Sequence, residues 1–109
     1  MAVKRGEVWT VSGGIYASKP RPAVILQSDQ FDQTASVTLV PCTTSPTKAP
    51  LFRLPLRPTE ENGVRLACRL MVDKIATVPK VNLGQRLGRL SDDDLVRLNR
   101  AAVVFLGVA

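Results

Sequence analysis

The chain contains no histidine among its 109 residues. Ser-His-Asp hydrolysis, Cys-His proteolysis and the paired-imidazole chemistry of some ribonucleases are therefore excluded, because each needs a side chain that takes and returns a proton near neutrality. Cysteine is almost as scarce. Cys42 and Cys68 lie far apart in sequence and outside any metal-ligand spacing, so a disulfide framework and a zinc site both lose their basis and buried free thiols are expected. Acidic residues are in deficit, nine against fifteen lysines and arginines, for a net charge of +6. Long apolar runs are missing too. "MAVKRGEVW" is not a secretory leader, and Ala101 to Ala109 is too short to span a bilayer, so a cytoplasmic protein with no membrane contact is expected.

What the chain does have is arginine, ten against five lysines. Guanidinium grips phosphate in a bidentate fork and stacks on bases, whereas ammonium acts as a point charge, so a nucleic-acid or other acidic partner is favoured. With 45% hydrophobic and 22% charged residues and no low-complexity tract, the composition is that of one globular domain over residues 1–109.

Short β-type runs fill the first three quarters. "GEVWTV" (Gly6 to Val11) predicts a strand that breaks at "SGG" into a loop running to Pro22. "AVILQ", "SVTLVPC" (Ser36 to Cys42) and "LFRLPL" (Leu51 to Leu56) read as further strands, the last an edge strand or one with a bulge because of Pro55. The Asn-Gly pair of "ENGV" (Glu61 to Val64) favours a type I′ turn, and "RLACRLMVDKIATV" reads as one long strand or two joined by a bend. The chain then changes character. Ser91 and Asp94 are spaced as a capping box, with Leu90 and Leu95 as a hydrophobic staple, and Leu95, Leu98, Ala102 and Phe105 recur at helical spacing. Arg97 and Arg100 would complement the helix dipole. The pattern predicts a mainly β protein, a curled antiparallel barrel covered by a C-terminal helix.

Two stretches can carry chemistry. In "SKPRPAVIL", Pro20 and Pro22 fix the backbone on either side of Arg21 and mount its guanidinium rigidly at a strand entrance. In "VPCTTS", a buried strand ends and offers the hydroxyls of Thr43, Thr44 and Ser45, which can donate to phosphate oxygens or close turns with their own backbone. Lys19 and Tyr16, in the loop beside Arg21, are candidates for a phosphate contact and a base stack.

The order and spacing of "RGEVWTV", "RPAVIL", "VPCTTS", "ENGV", "VDKIATV" and "LGRLSDDDL" resemble the MazF/PemK family of bacterial toxin endoribonucleases over nearly the whole chain. The resemblance implies an SH3-like (CcdB/PemK-type) barrel with a C-terminal helix, a homodimer and a cognate MazE-like antitoxin that inserts an acidic and apolar segment. It implies cleavage of single-stranded RNA without metal or other cofactor. It also implies that Arg21 and Thr43 are catalytic and that Tyr16, Lys19, Thr44, Ser45 and Asp73 contact RNA. Lys74 stands where glutamine is commoner in the family, Ala76 where a basic residue is frequent and Cys68 where serine is often found. Two alternatives share the fold: a nuclease-inactive nucleic-acid-binding barrel, and a gyrase-poisoning toxin. The second acts through a C-terminal tryptophan that the tail "FLGVA" lacks.

Overall fold

A computed structural model describes residues 2–13 and 17–108. Seven strands follow one another, β1 (Glu7–Gly13), β2 (Ala17–Ile25), β3 (Ser36–Thr43), β4 (Arg53–Leu56), β5 (Cys68–Met71), β6 (Ala76–Pro79) and β7 (Leu83–Arg89), and the chain closes with helix α1 (Asp92–Leu106). The strands pair antiparallel in the order β4-β5-β3-β2-β1-β7, with β6 also on β3. One edge of β3 therefore serves two strands: its first half pairs with β6, its last two residues with β5. A single 3₁₀ turn at Val72–Lys74 makes the corner between those partners, which resolves "RLACRLMVDKIATV" into two strands.

The central strands are buried on both faces. Val8, Val24 and Val40 point into a core shared with Leu56, Leu70, Val72, Leu90 and Leu98 beneath α1. Their sequence neighbours Trp9, Ala23, Ile25 and Leu39 point the other way, into a second cluster with Val37, Val78 and Leu83. That two-sided burial is why "AVIL" is continuously apolar instead of alternating. Each fully buried valine or leucine there contributes roughly 1.5–3 kcal/mol.

Several expectations change in detail. β2 begins at Ala17, so Pro20 and Pro22 lie inside a strand and not in a loop. Its pairing with β1 runs from Ala17 to Val24, but β3 joins only from Ala23, so both prolines sit where one edge has no partner and a missing N–H need cost no ladder bond. Pro55 is indeed on an end strand. The Asn-Gly pair does not make a tight hairpin: ten or so residues separate β4 from β5, and they form a packed loop. Asn62 is 1% exposed and staples that loop. Its Oδ1 accepts from the N–H groups of Thr59 (3.0 Å) and Val64 (2.9 Å), and its Nδ2 donates to the Arg57 carbonyl (2.8 Å). Gly63 follows at φ +70°, where a Cβ would collide with the Leu87 carbonyl of β7. The Arg89 N–H donates to the Glu61 carbonyl at 3.0 Å, so this loop, not a strand ladder, bridges toward the β7 end of the sheet.

The helix starts as expected at Ser91, whose side chain accepts from the Asp94 N–H at 3.1 Å, with Leu90 and Leu95 both against the core. The box is only half made. The Asp94 carboxylate turns instead to Arg97 at 2.7 Å, and Arg97 also donates to the Pro55 carbonyl at 3.0 Å. Neither Arg97 nor Arg100 reaches the last turn, which holds no basic residue, and the helix ends on Gly107 in the left-handed conformation. Phe105 is half exposed and meets Phe52 with ring centroids 5.9 Å apart.

Candidate active site

A cavity of about 350 Å³ opens where β1, β2, β3, β7 and the Asn62 loop converge. From β2 it receives Pro20, Arg21 and Pro22, and from β3 and its exit Cys42, Thr43 and Thr44. Thr10 of β1, Gln85 and Leu87 of β7, and Val64 and Arg65 behind the Asn62 staple complete its main walls. The volume is at the small end of ligand pockets and suits a piece of a chain the size of a nucleotide.

Arg21 and Thr43 each lie two residues beyond the last β2–β3 pair, Ala23↔Pro41, and both line the cavity. On the other edge of β3, Thr43 pairs with Arg69, whose Nη1 donates to the Ser45 carbonyl at 3.1 Å. The Ser45 N–H donates to Thr43 Oγ1 at 3.1 Å. That bond occupies one lone pair, holds the rotamer and leaves the hydroxyl proton free to donate into the cavity.

The electrostatics are one-sided. Two arginines, Arg21 and Arg65, line the cavity and no carboxylate does. Among the described residues neither has an ion-pair partner, whereas Arg53, Arg86, Arg89 and Arg97 are all paired. Uncompensated guanidinium groups beside an apolar floor make a place for an anion. The floor includes Cys42 and Cys68, both free and buried. The neighbouring Cys68 thiol, together with burial, pushes the Cys42 thiol well above its ordinary pKa, and Cys42 in turn draws the Cys68 thiol down against the burial that raises it.

The other candidates from the sequence fall in different places. Thr44 lines the cavity; Ser45 is exposed just beyond it, its hydroxyl 3.0 Å from that of Thr47. Lys19 is exposed on β2 outside the lining, and Tyr16 lies outside the described residues. Asp73 is not in the cavity. Its carboxylate takes both ends of Arg53, Nε to Oδ1 at 2.7 Å and Nη2 to Oδ2 at 2.9 Å, and this bidentate pair holds the group below the usual carboxylate range. Thr10, Arg65 and Gln85 were not singled out from sequence. Thr10 is a polar residue between the apolar Trp9 and Val11, a weak signal, and its Oγ1 accepts from the Gln85 N–H at 2.9 Å. Nothing in the spacing of Arg65 or Gln85 marks them.

A curled seven-stranded antiparallel sheet with one C-terminal helix, carrying a basic, hydroxyl-lined cavity at a strand exit, defines a small toxin-type β fold. Residues 4–106 match the family described as PemK-like, MazF-like toxin of type II toxin-antitoxin system, and the chain belongs to that family. It is 50% identical over 108 residues to a probable endoribonuclease MazF of Mycolicibacterium smegmatis, covering 98% of this chain and 99% of that one. A mycobacterial endoribonuclease solved in complex with its cognate antitoxin superposes with a TM-score of 0.83 at 26% identity, covering 99% and 98% of the two chains. MazF of Deinococcus radiodurans shares the fold, with a TM-score of 0.79 at 18% identity over 98% of each chain.

Proposed function

We propose that this protein is the toxin of a toxin–antitoxin pair and cuts single-stranded RNA in the cytoplasm, with Arg21 and Thr43 as its catalytic pair. The observation that carries the reading is the convergence of an unpaired guanidinium and an oriented hydroxyl on one cavity without a carboxylate. Family membership and the 50% identical probable endoribonuclease support the same activity.

The chemistry that fits these groups is attack of the ribose 2′-hydroxyl on its own 3′-phosphate. The 2′-oxygen–phosphorus bond forms, the bond from phosphorus to the 5′-oxygen breaks, and the proton lost from the 2′-hydroxyl is balanced by one gained at the leaving oxygen. The products are a 2′,3′-cyclic phosphate and a 5′-hydroxyl. Negative charge grows on the non-bridging oxygens in the transition state. Arg21 neutralises it and the Thr43 hydroxyl donates to the same oxygens, each aligned donor being worth roughly 3–4 kcal/mol. Thr44, Ser45, Lys19 and Tyr16 are proposed to hold the flanking strand.

An inhibitor chain fits the same surface. An acidic and apolar antitoxin segment would meet the arginines and the apolar floor and exclude RNA. A second copy of the toxin would cover apolar side chains left exposed near the end of α1, among them Val104, Leu106 and Val108. The deciding experiment incubates purified protein with mixed-sequence single-stranded RNA in EDTA and maps both ends. Fragments ending in cyclic phosphate and 5′-hydroxyl establish the activity. Intact RNA with a gel shift would reduce the protein to a binding module.

A further inference from the structure

We infer that Arg65 is a second phosphate clamp, gripping the phosphodiester next to the scissile one, so that the cavity reads two consecutive phosphates of a single strand. The inference rests on the RNA-cleavage reading and adds to it a residue and a substrate requirement.

Arg65 lines the same cavity as Arg21 and Thr43 but reaches it from a different part of the chain, the loop between β4 and β5. Its mount is stiff. Asn62 spends both ends of its amide on loop backbone, Val64 is buried, and Gly63 lies against the Leu87 carbonyl so closely that no side chain fits there. A long side chain held on a fixed base and exposed at its tip loses little freedom beyond its own rotamers when it binds. Glu61 on this loop is paired with Arg89 at 3.5 Å, and neither it nor Glu60 lines the cavity. Two guanidinium groups in one cavity without a carboxylate hold more positive charge than one phosphate balances. The same lining includes the apolar side chains of Val64, Leu66 and Leu87, suited to the sugar or base that links two phosphates.

The test measures binding, so it is independent of turnover. An RNA oligonucleotide carrying a mapped cleavage site, with 2′-deoxyribose at that site to prevent cutting, is titrated against the wild type and Arg65→Ala from 50 to 300 mM salt. Loss of one clamped phosphate should weaken binding about fivefold to tenfold and reduce the slope of log affinity against log salt by about 0.7. Replacing each phosphate in turn by an uncharged methylphosphonate should find one position, adjacent to the scissile phosphate, where the wild type loses as much as the variant and the variant loses nothing further. Arg65→Lys should restore the slope. An unchanged slope in Arg65→Ala, or losses that add at every phosphonate position, would overturn the assignment. If no cleavage site can be mapped, the same salt titration and phosphonate scan on an unmodified single-stranded RNA oligonucleotide still test the clamp, and the nuclease reading falls alone.

Discussion

Arg21 and Thr43 stand on adjacent antiparallel strands, each two residues beyond the last paired residues Ala23↔Pro41, and both open into one cavity. Neither position depends on a mobile tail or a long loop for its alignment. Geometry of this kind is what electrostatic stabilisation requires, since donors gain most when they need no reorganisation at the moment of reaction.

Removal of either group should therefore be costly to rate and nearly neutral to stability. Arg21→Ala and Thr43→Ala are each expected to slow RNA cleavage by about a hundredfold to a thousandfold, the loss of one well-aimed donor, while circular dichroism and the melting temperature stay close to wild type. Thr43→Ser, which keeps the hydroxyl, should recover most of the rate, and Thr43→Val should not. Full activity of the alanine variants in an EDTA-containing cleavage assay would move the catalytic pair elsewhere.

The loop that carries Arg65 depends on one buried amide. Asn62→Ala would leave the Thr59 and Val64 N–H groups and the Arg57 carbonyl without partners, at a cost of about 2–4 kcal/mol, and should lower the melting temperature by roughly 10 °C or more. Asn62→Asp keeps both accepted bonds but buries a carboxylate with one oxygen facing the Arg57 carbonyl, so at pH 7 it should cost at least as much as alanine and less in acid, where the carboxyl protonates and can donate. Calorimetry of the two variants separates them; equal melting temperatures in all three proteins would show that the loop is not stapled this way.

Acid should destabilise the protein through carboxylates far from the cavity. Arg53 holds Asp73 below the usual carboxylate range, and Glu7, although burial pushes it up, is drawn below that range by hydrogen bonds from the Lys4 N–H, Trp9 and Arg86. A carboxyl depressed on folding lends stability that is complete above its unfolded value near pH 4, and loses it as pH falls through the folded value. The urea midpoint should accordingly hold from pH 7 to about 5 and drop below about 4. Asp73→Asn should flatten that drop while costing about 1–2 kcal/mol at pH 7.

The two thiols should react in order. Cys68 is drawn toward thiolate by Cys42, while Cys42 is pushed the other way, so a small alkylating reagent should modify Cys68 first. Because both side chains line the cavity, the first adduct should already reduce RNA cleavage. Mass spectrometry of a timed reaction follows this directly. Equal rates at the two sites would show that the neighbouring thiol does not set their reactivity.

Most of this architecture is legible in the sequence where burial is two-sided or where a turn residue has one use. "AVIL" shows its burial as a continuous apolar run, "SVTLV" as apolar residues alternating with Ser36 and Thr38, Pro55 marks an end strand, and Ser91 marks the helix start. β7 is different. "LGQRLGR" reads as neither strand nor helix, because it contributes few buried side chains and needs glycine where other backbone comes close: a Cβ on Gly88 would strike the Glu61 carbonyl, and one on Gly84 would meet the Thr10 hydroxyl. Asn62 misleads for a related reason. Its neighbour Gly63 does adopt positive φ, as an Asn-Gly turn would require, but the asparagine faces inward and bonds the backbone of its own loop at Arg57, Thr59 and Val64. The catalytic candidates are visible because chemistry restricts residue type. Arg65 and Gln85 are not, because they enter the cavity only through the way β7 and the Asn62 loop pack.

Gln85 and Leu87 belong to β7, which pairs with β1, and they wall a cavity whose other groups lie between Thr10 and Cys68. During synthesis those earlier segments emerge without that wall, and β1 has nothing to pair with on one side. The pocket therefore comes into being only as β7 leaves the ribosome and closes against the first strand.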